Sequence, residues 1–129
     1  MHEYQIKEVI KVVDGDTIDI VIDLGFSIFT KQRIRLAGID TPESITKDII
    51  EKQFGLEAKE TLTKWLGNQK TLKIVTTKDD KYGRMLGVVF GDTSIPINDT
   101  LISCGYAWKY NGDAKRKDFA SLLEQRKTQ

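Results

Sequence analysis

Asp16-Thr17-Ile18-Asp19-Ile20-Val21-Ile22-Asp23 alternates along its length, with Ile18, Ile20 and Ile22 on one side and Asp19, Val21 and Asp23 on the other. A period of two with one mostly polar face predicts a half-buried β-strand. Upstream, Tyr4 to Val13 is rich in β-branched residues and runs into Asp14-Gly15, a strong tight-turn signal. Downstream, Gly25 turns the chain again before a third strand over roughly Ser27 to Ala37. Three strands joined by short turns make a meander.

Beyond the meander the period changes. Phe54, Ala58, Leu62, Trp65 and Leu66 recur at helical spacing, with Glu57, Lys59, Glu60 and Lys64 elsewhere on the turn. Gly55 weakens the first turn of this helix, and Gly67 is placed to stop it in a left-handed cap. Strands resume over Thr71 to Thr77 and Met85 to Phe90, separated by a polar turn. Asn98 reads as the cap of a short helix through Leu101 and Ile102 that Gly105 closes. A last amphipathic segment, about Lys117 to Arg126, offers Phe119, Leu122 and Leu123. Strands, a helix, two more strands and then helices define an α+β chain. Five strands with a helix between the third and fourth match a five-stranded OB-type β-barrel with about three helices. A small α+β sheet of another topology leaves the same traces.

Composition narrows the function. A chain of 129 residues suits one domain, 1–129, with a proper core. No apolar run approaches the ~20 residues a membrane helix needs. The single cysteine, Cys104, excludes an internal disulfide and any multi-cysteine zinc site, and reads as a small buried side chain. The first residues lack the basic-then-apolar pattern of a secretion signal, so a cytoplasmic protein is expected, although a mature secreted fragment would read the same way. Twenty basic residues against nineteen acidic give a net charge of +1. Any polyanion must therefore be held by local rather than overall charge.

Three stretches could carry chemistry. Asp14-Gly15-Asp16-Thr17 is a hairpin turn in its simplest reading. Yet Asp16 has the parity of Ile18, Ile20 and Ile22, which sends a carboxylate toward the core at the end of the sheet, where it needs a metal, an arginine or several donors. Arg33-Ile34-Arg35-Leu36-Ala37-Gly38-Ile39-Asp40-Thr41-Pro42-Glu43 puts two arginines on one strand face and runs out into acidic residues around a proline. That is either a helix start, with Asp40 or Thr41 as cap and Pro42 at the first position, or oxygen ligands for a hard divalent cation beside phosphate-binding arginines. Asp79-Asp80-Lys81-Tyr82-Gly83-Arg84 is a polar hairpin turn, or a third group of functional side chains at a strand end.

Asp14-Gly15-Asp16-Thr17, Arg35-Leu36 leading to Asp40-Thr41-Pro42-Glu43, and Asp80-Lys81-Tyr82-Gly83-Arg84 resemble, in order and in position, the three signature stretches of the staphylococcal nuclease (thermonuclease) family. The likeness covers roughly Val9 to Tyr110. It implies an OB-type barrel and a calcium-dependent phosphodiesterase acting on DNA and RNA; no obligate protein partner is expected. By motif position, Asp16 and Asp40 would bind Ca2+ through their carboxylates and Thr41 through its backbone carbonyl. Arg35 and Arg84 would contact the scissile phosphate. Glu43 would act on the attacking water as general base or by orienting it. Tyr82 would contact phosphate, and Tyr110 would stack on a nucleoside.

The chain departs from the family pattern in three places. Residues around Ile22 to Thr30 lengthen the second hairpin, Ile45, Ile49 and Ile50 replace a lysine-rich loop, and the C-terminal helix is short. The alternating Tyr106, Trp108 and Tyr110 could pack or stack bases, and the Lys115-Arg116-Lys117 run reads as a solvated face. His2, expected at a frayed terminus, has no catalytic place. The other reading of the whole is a non-catalytic OB-fold module that binds nucleic acid or protein.

Overall fold

A computed structural model describes residues 2–79, 84–110 and 117–127, with the side chains of 77–79 outside the description. Strands β1 (His2–Asp14), β2 (Thr17–Asp23) and β3 (Phe29–Leu36) form the expected meander. Next come a two-residue strand β4 (Ile39–Asp40), helix α1 (Ile49–Gly67), strands β5 (Lys73–Asp79) and β6 (Met85–Phe90), and helix α2 (Ile97–Ser103). Strand β7 (Trp108–Lys109) and helix α3 (Phe119–Lys127) end the described chain.

The five long strands close into a barrel in the order β1-β2-β3-β6-β5. Every neighbouring pair is antiparallel except β3 with β6, which is parallel through Ile34↔Met85, Arg35↔Leu86 and Leu36↔Gly87. The thirteen-residue β1 serves two neighbours: residues 2–5 pair with β5 and residues 5–14 with β2. Register shifts at Ile6/Glu8, Val9/Lys11 and Val12/Asp14 bend it around the barrel, as inserted residues do in closed sheets. The alternation read from β2 is the barrel's inside. Ile18, Ile20 and Ile22 are buried with Ile34, Leu36, Ile74 and Val89, and Leu62 and Leu66 of α1 close one end. Each such side chain contributes about 1.5–3 kcal/mol of burial. Among the described residues no helix is long and apolar enough to cross a membrane.

The elements differ from the sequence reading at their ends. Helix α1 begins at Ile49, before the expected apolar stripe, because the Asp48 side chain accepts the Glu51 N–H as N-cap. Thr41 and Pro42 are buried in the segment before it and start no helix. Gly67 is not left-handed: the helix closes on Asn68, whose N–H reaches the Lys64 and Trp65 carbonyls. Gly105 does end α2, with φ of 82°. Asn98 is no cap, since Pro96 holds that position. Its buried amide instead accepts the Val89 N–H at 3.0 Å and donates to the carbonyls of Ala37 and Gly87 at 2.9 and 3.1 Å. It ties α2 to the barrel beside the parallel seam. Asn98→Ala orphans the buried Val89 N–H, so urea denaturation should show a loss of about 1–3 kcal/mol; an unchanged midpoint would refute the role.

Other single residues also settle differently. His2 is not frayed but pairs with Thr76, whose hydroxyl donates to the His2 carbonyl at 3.2 Å. Cys104 and Trp65 are half-buried, Trp65 packing against the core with its ring edge to Tyr106 at 6.1 Å. The β2–β3 hairpin turns through three successive left-handed residues, Gly25, Phe26 and Ser27, and leaves Phe26 fully exposed.

Candidate functional site

The site lies where the β1–β2 turn meets the end of β3 and the two-residue ribbon β4–β7. Gly15 and Asp16 form that turn, with Asp14 opposite Thr17. A Cβ on Gly15 would stand 2.8 Å from the Ala58 Cβ and 3.0 Å from Thr41 Oγ1, so only glycine lets the turn press against α1 and Thr41. The Asp16 carboxylate is buried, as its parity predicted. It accepts the Thr41 N–H at 3.1 Å and the Thr17 hydroxyl at 3.0 Å, and pairs with Arg35 Nη1 at 3.1 Å. Of the solutions open to a buried carboxylate, the described structure supplies the arginine and the donors.

Arg33 and Arg35 part company despite sharing a face. Arg33 takes Asp19 opposite it in a bidentate pair at 2.7 and 3.0 Å, which holds the Asp19 carboxyl below its ordinary range. Arg35, only 12% exposed, sits between two carboxylates, Asp16 at 3.1 Å and Asp40 Oδ1 at 3.5 Å. The Tyr110 ring lies 5.9 Å from its guanidinium. Strand β7 fixes this arrangement: Asp40 pairs with Trp108, and the Tyr110 N–H donates to the Gly38 carbonyl. Of the three alternating aromatics, Tyr106 packs on Trp65, Trp108 lies 5.7 Å from Phe119, and Tyr110 alone reaches the site.

Asp40 is the electrostatic outlier. Its burial, and next the negative charge of Asp16, push its carboxyl above the ordinary value against the opposing pull of Arg35 and Lys117. Two carboxylates that one arginine does not fully offset make a favourable place for a further cation, and every donor there is a hard oxygen. Among the described residues no group of three or more His, Cys, Asp or Glu side chains gathers to hold a metal alone. A divalent ion would take Asp16 and Asp40 and complete its shell with backbone oxygen, as from Thr41, and water. The residues fit such an ion.

Glu43 is exposed, two residues past Thr41, and its charge reaches both Asp40 and Lys117. Its N–H donates to Glu51 Oε2 at 3.1 Å, and the next N–H, of Ser44, donates to Asp14 Oδ1 at 3.3 Å. Arg84 is half-buried immediately before β6, where the pairing of Leu86 with Arg35 brings it by alternation to the Arg35 face. Asp16, Arg35, Asp40 and Thr41 are thus linked by direct contacts, Glu43 adjoins them, Tyr110 lies beside Arg35, and Arg84 precedes β6 on the strand face that Arg35 shares. Tyr82, with the rest of 80–83, and Lys115 and Arg116 lie outside the described residues. Sequence reading passes over Glu51. Lys117 is exposed, as expected of a solvated face, and also pairs with Glu51 at 2.6 Å. The signal was present in Asp48-Ile49-Ile50-Glu51, the spacing of a capping box.

With barrel and site in place, the relatives are informative. Residues 33–129 match the model of the family described as staphylococcal nuclease homologue. The chain is 33% identical over 128 residues to a micrococcal nuclease of Shigella flexneri, an alignment covering 93% of this chain and 66% of that protein. It is 34% identical over 102 residues to an uncharacterized endonuclease of Escherichia coli O157:H7, covering 79% of this chain and 59% of the other. With a probable staphylococcal-like nuclease of Oryza sativa subsp. japonica the figure is 36% over 95 residues, 74% of this chain and 26% of that one. This chain belongs to the staphylococcal nuclease-like family, and its five-stranded barrel with three helices is that α+β fold. It spans between a quarter and two thirds of the length of these relatives.

Proposed function

We propose that this chain is a nuclease, and specifically a calcium-dependent one that hydrolyses phosphodiester bonds within single-stranded or flexible DNA or RNA. The observation that carries the reading is Arg35, 12% exposed and held between Asp16 and Asp40. A pure nucleic-acid binder gains nothing from an acidic pair facing a polyanion, since like charges repel the ligand. A phosphodiesterase gains from cations aimed at the oxygens on which charge accumulates.

In this reading Asp16, Asp40 and the Thr41 carbonyl hold Ca2+, which when bound neutralises phosphate charge without redox chemistry. Arg35 donates to the phosphate oxygens from a position its carboxylate neighbours fix, and Arg84 does so from the start of β6. Glu43 orients the attacking water or takes its proton as the water oxygen bonds to phosphorus and the P–O bond to the leaving nucleotide breaks, the departing oxygen taking a proton from solvent. Tyr82 contacts phosphate. Tyr110, stationed on Arg35, faces a nucleoside. The cytoplasm is the proposed setting.

The test is cleavage of a fluorescent single-stranded DNA oligonucleotide by the purified chain, with millimolar calcium, with excess chelator, and with Glu43→Ala. Cleavage that requires calcium and falls by ~10²–10³ in Glu43→Ala is the expected result, by analogy with lost transition-state contacts. Binding without cleavage would instead make this a non-catalytic OB-fold module.

A further inference from the structure

Glu51 departs from the role its position gives it. In a capping box the third helical residue reaches back to the N-cap backbone N–H. Asp48 keeps its half by accepting the Glu51 N–H at 3.1 Å. Glu51 does not return the bond, and the Asp48 N–H goes to Thr46 Oγ1 at 3.3 Å. The released carboxylate, only 8% exposed, turns inward, where one oxygen, Oε2, accepts the Glu43 N–H at 3.1 Å and the Lys117 ammonium at 2.6 Å. Three segments meet on that atom: the one after β4, the first turn of α1 eight residues on, and, 66 residues further, the residues leading into α3. A buried carboxylate is retained where a cation and a donor satisfy it, and removing either strands a charge. Lys117 is partly exposed, and the bond to Glu51 holds its ammonium above the ordinary range.

We infer that Glu51 and Lys117 are positioning residues that fix the backbone of Glu43, so that the segment leading into α3 governs the geometry of the reacting carboxylate from outside the barrel. The inference deepens the nuclease reading and rests on it for the catalytic readout. A fixed backbone matters because a displacement of about 1 Å at a reacting group can cost 10²-fold in rate. Neither residue need touch substrate.

Lys117→Met removes the ammonium at a partly exposed position, and Lys117→Arg retains a donor and the charge. Glu51→Gln keeps an acceptor for the Glu43 N–H and loses the ion pair. Lys117→Met and Glu51→Gln should lower kcat on the oligonucleotide by about 10–100-fold with KM within about twofold, and Lys117→Arg should recover most of the loss. The Glu43 amide, followed by hydrogen exchange in the full chain, should exchange faster in both impaired variants. Unchanged kcat in folded Lys117→Met overturns the inference. So does a rise in KM alone, which would mark Lys117 as a substrate-attracting charge, and so does a Glu43 amide that exchanges alike in wild type and variant. Should wild type fail to cleave at all, the nuclease reading fails, and amide exchange alone still decides for or against the clamp.

Discussion

Arg35→Ala should lose catalysis and stability together. The catalytic part follows from taking a preorganised cation from the phosphate, a loss of ~10²–10³ in rate. The stability part follows from the neighbours. Asp16 is buried, and without Arg35 its charge keeps only the Thr41 N–H and Thr17 hydroxyl, while Asp40 loses its nearest cation. Breaking a buried pair from one side costs about 3–5 kcal/mol, and with side chains 12% and 11% exposed the lower end, about 3 kcal/mol, is expected. Arg35→Lys cannot span both carboxylates with one ammonium and should recover stability better than rate. Adding Asp16→Asn to Arg35→Ala removes the stranded charge, so urea denaturation in chelator should show part of the stability returning while cleavage stays low. A folded Arg35→Ala with near-native cleavage would overturn the assignment of Arg35.

Gly55→Ala carries the second large effect, and its sign is set by packing. In an exposed helix interior, alanine gains up to about 1 kcal/mol over glycine. Here a Cβ would collide with the Glu43 carbonyl group and stand 2.6 Å from the Ser44 nitrogen. These are backbone atoms of a segment held at both N–H groups, so no flexible side chain can yield. Either α1 or the Glu43 segment must shift. We expect a net loss of about 1–3 kcal/mol, as for overpacked cores, and a fall in cleavage toward 10²-fold as Glu43 leaves its place. Thermal denaturation and the oligonucleotide assay read the two effects separately. A stabilised, fully active Gly55→Ala would contradict the contact.

Gly55 also shows why sequence reading stopped where it did. As a residue in a helix it is only a weakness; its value lies in how closely another part of the backbone approaches, which no local pattern encodes. The barrel was legible because Ile18, Ile20 and Ile22 alternate over a full strand, and Phe54 to Leu66 repeats over several turns. Asp16 was legible for the same reason, since parity carried it to the buried side. The β4–β7 ribbon has two residues on each side and no period to read. Asn98 offers the chemistry of a cap, and only the packing of α2 against the barrel turns it inward. Ile49 and Ile50 are 74% and 60% exposed and lie off the apolar stripe, so the first turn of α1 hid behind them. Glu51 and Lys117 meet across 66 residues, a separation at which pattern is silent.

The parallel seam between β3 and β6 has a consequence for when the molecule becomes active. Arg35 and Arg84 stand on opposite sides of a join only three residue pairs long, and that join links segments about fifty positions apart. A chain still missing β6 has the acidic turn and Arg35 but not Arg84. A folded chain whose seam opens transiently separates the two arginines. On the proposed nuclease reading, cleavage would therefore require β6 to be in place and the barrel shut.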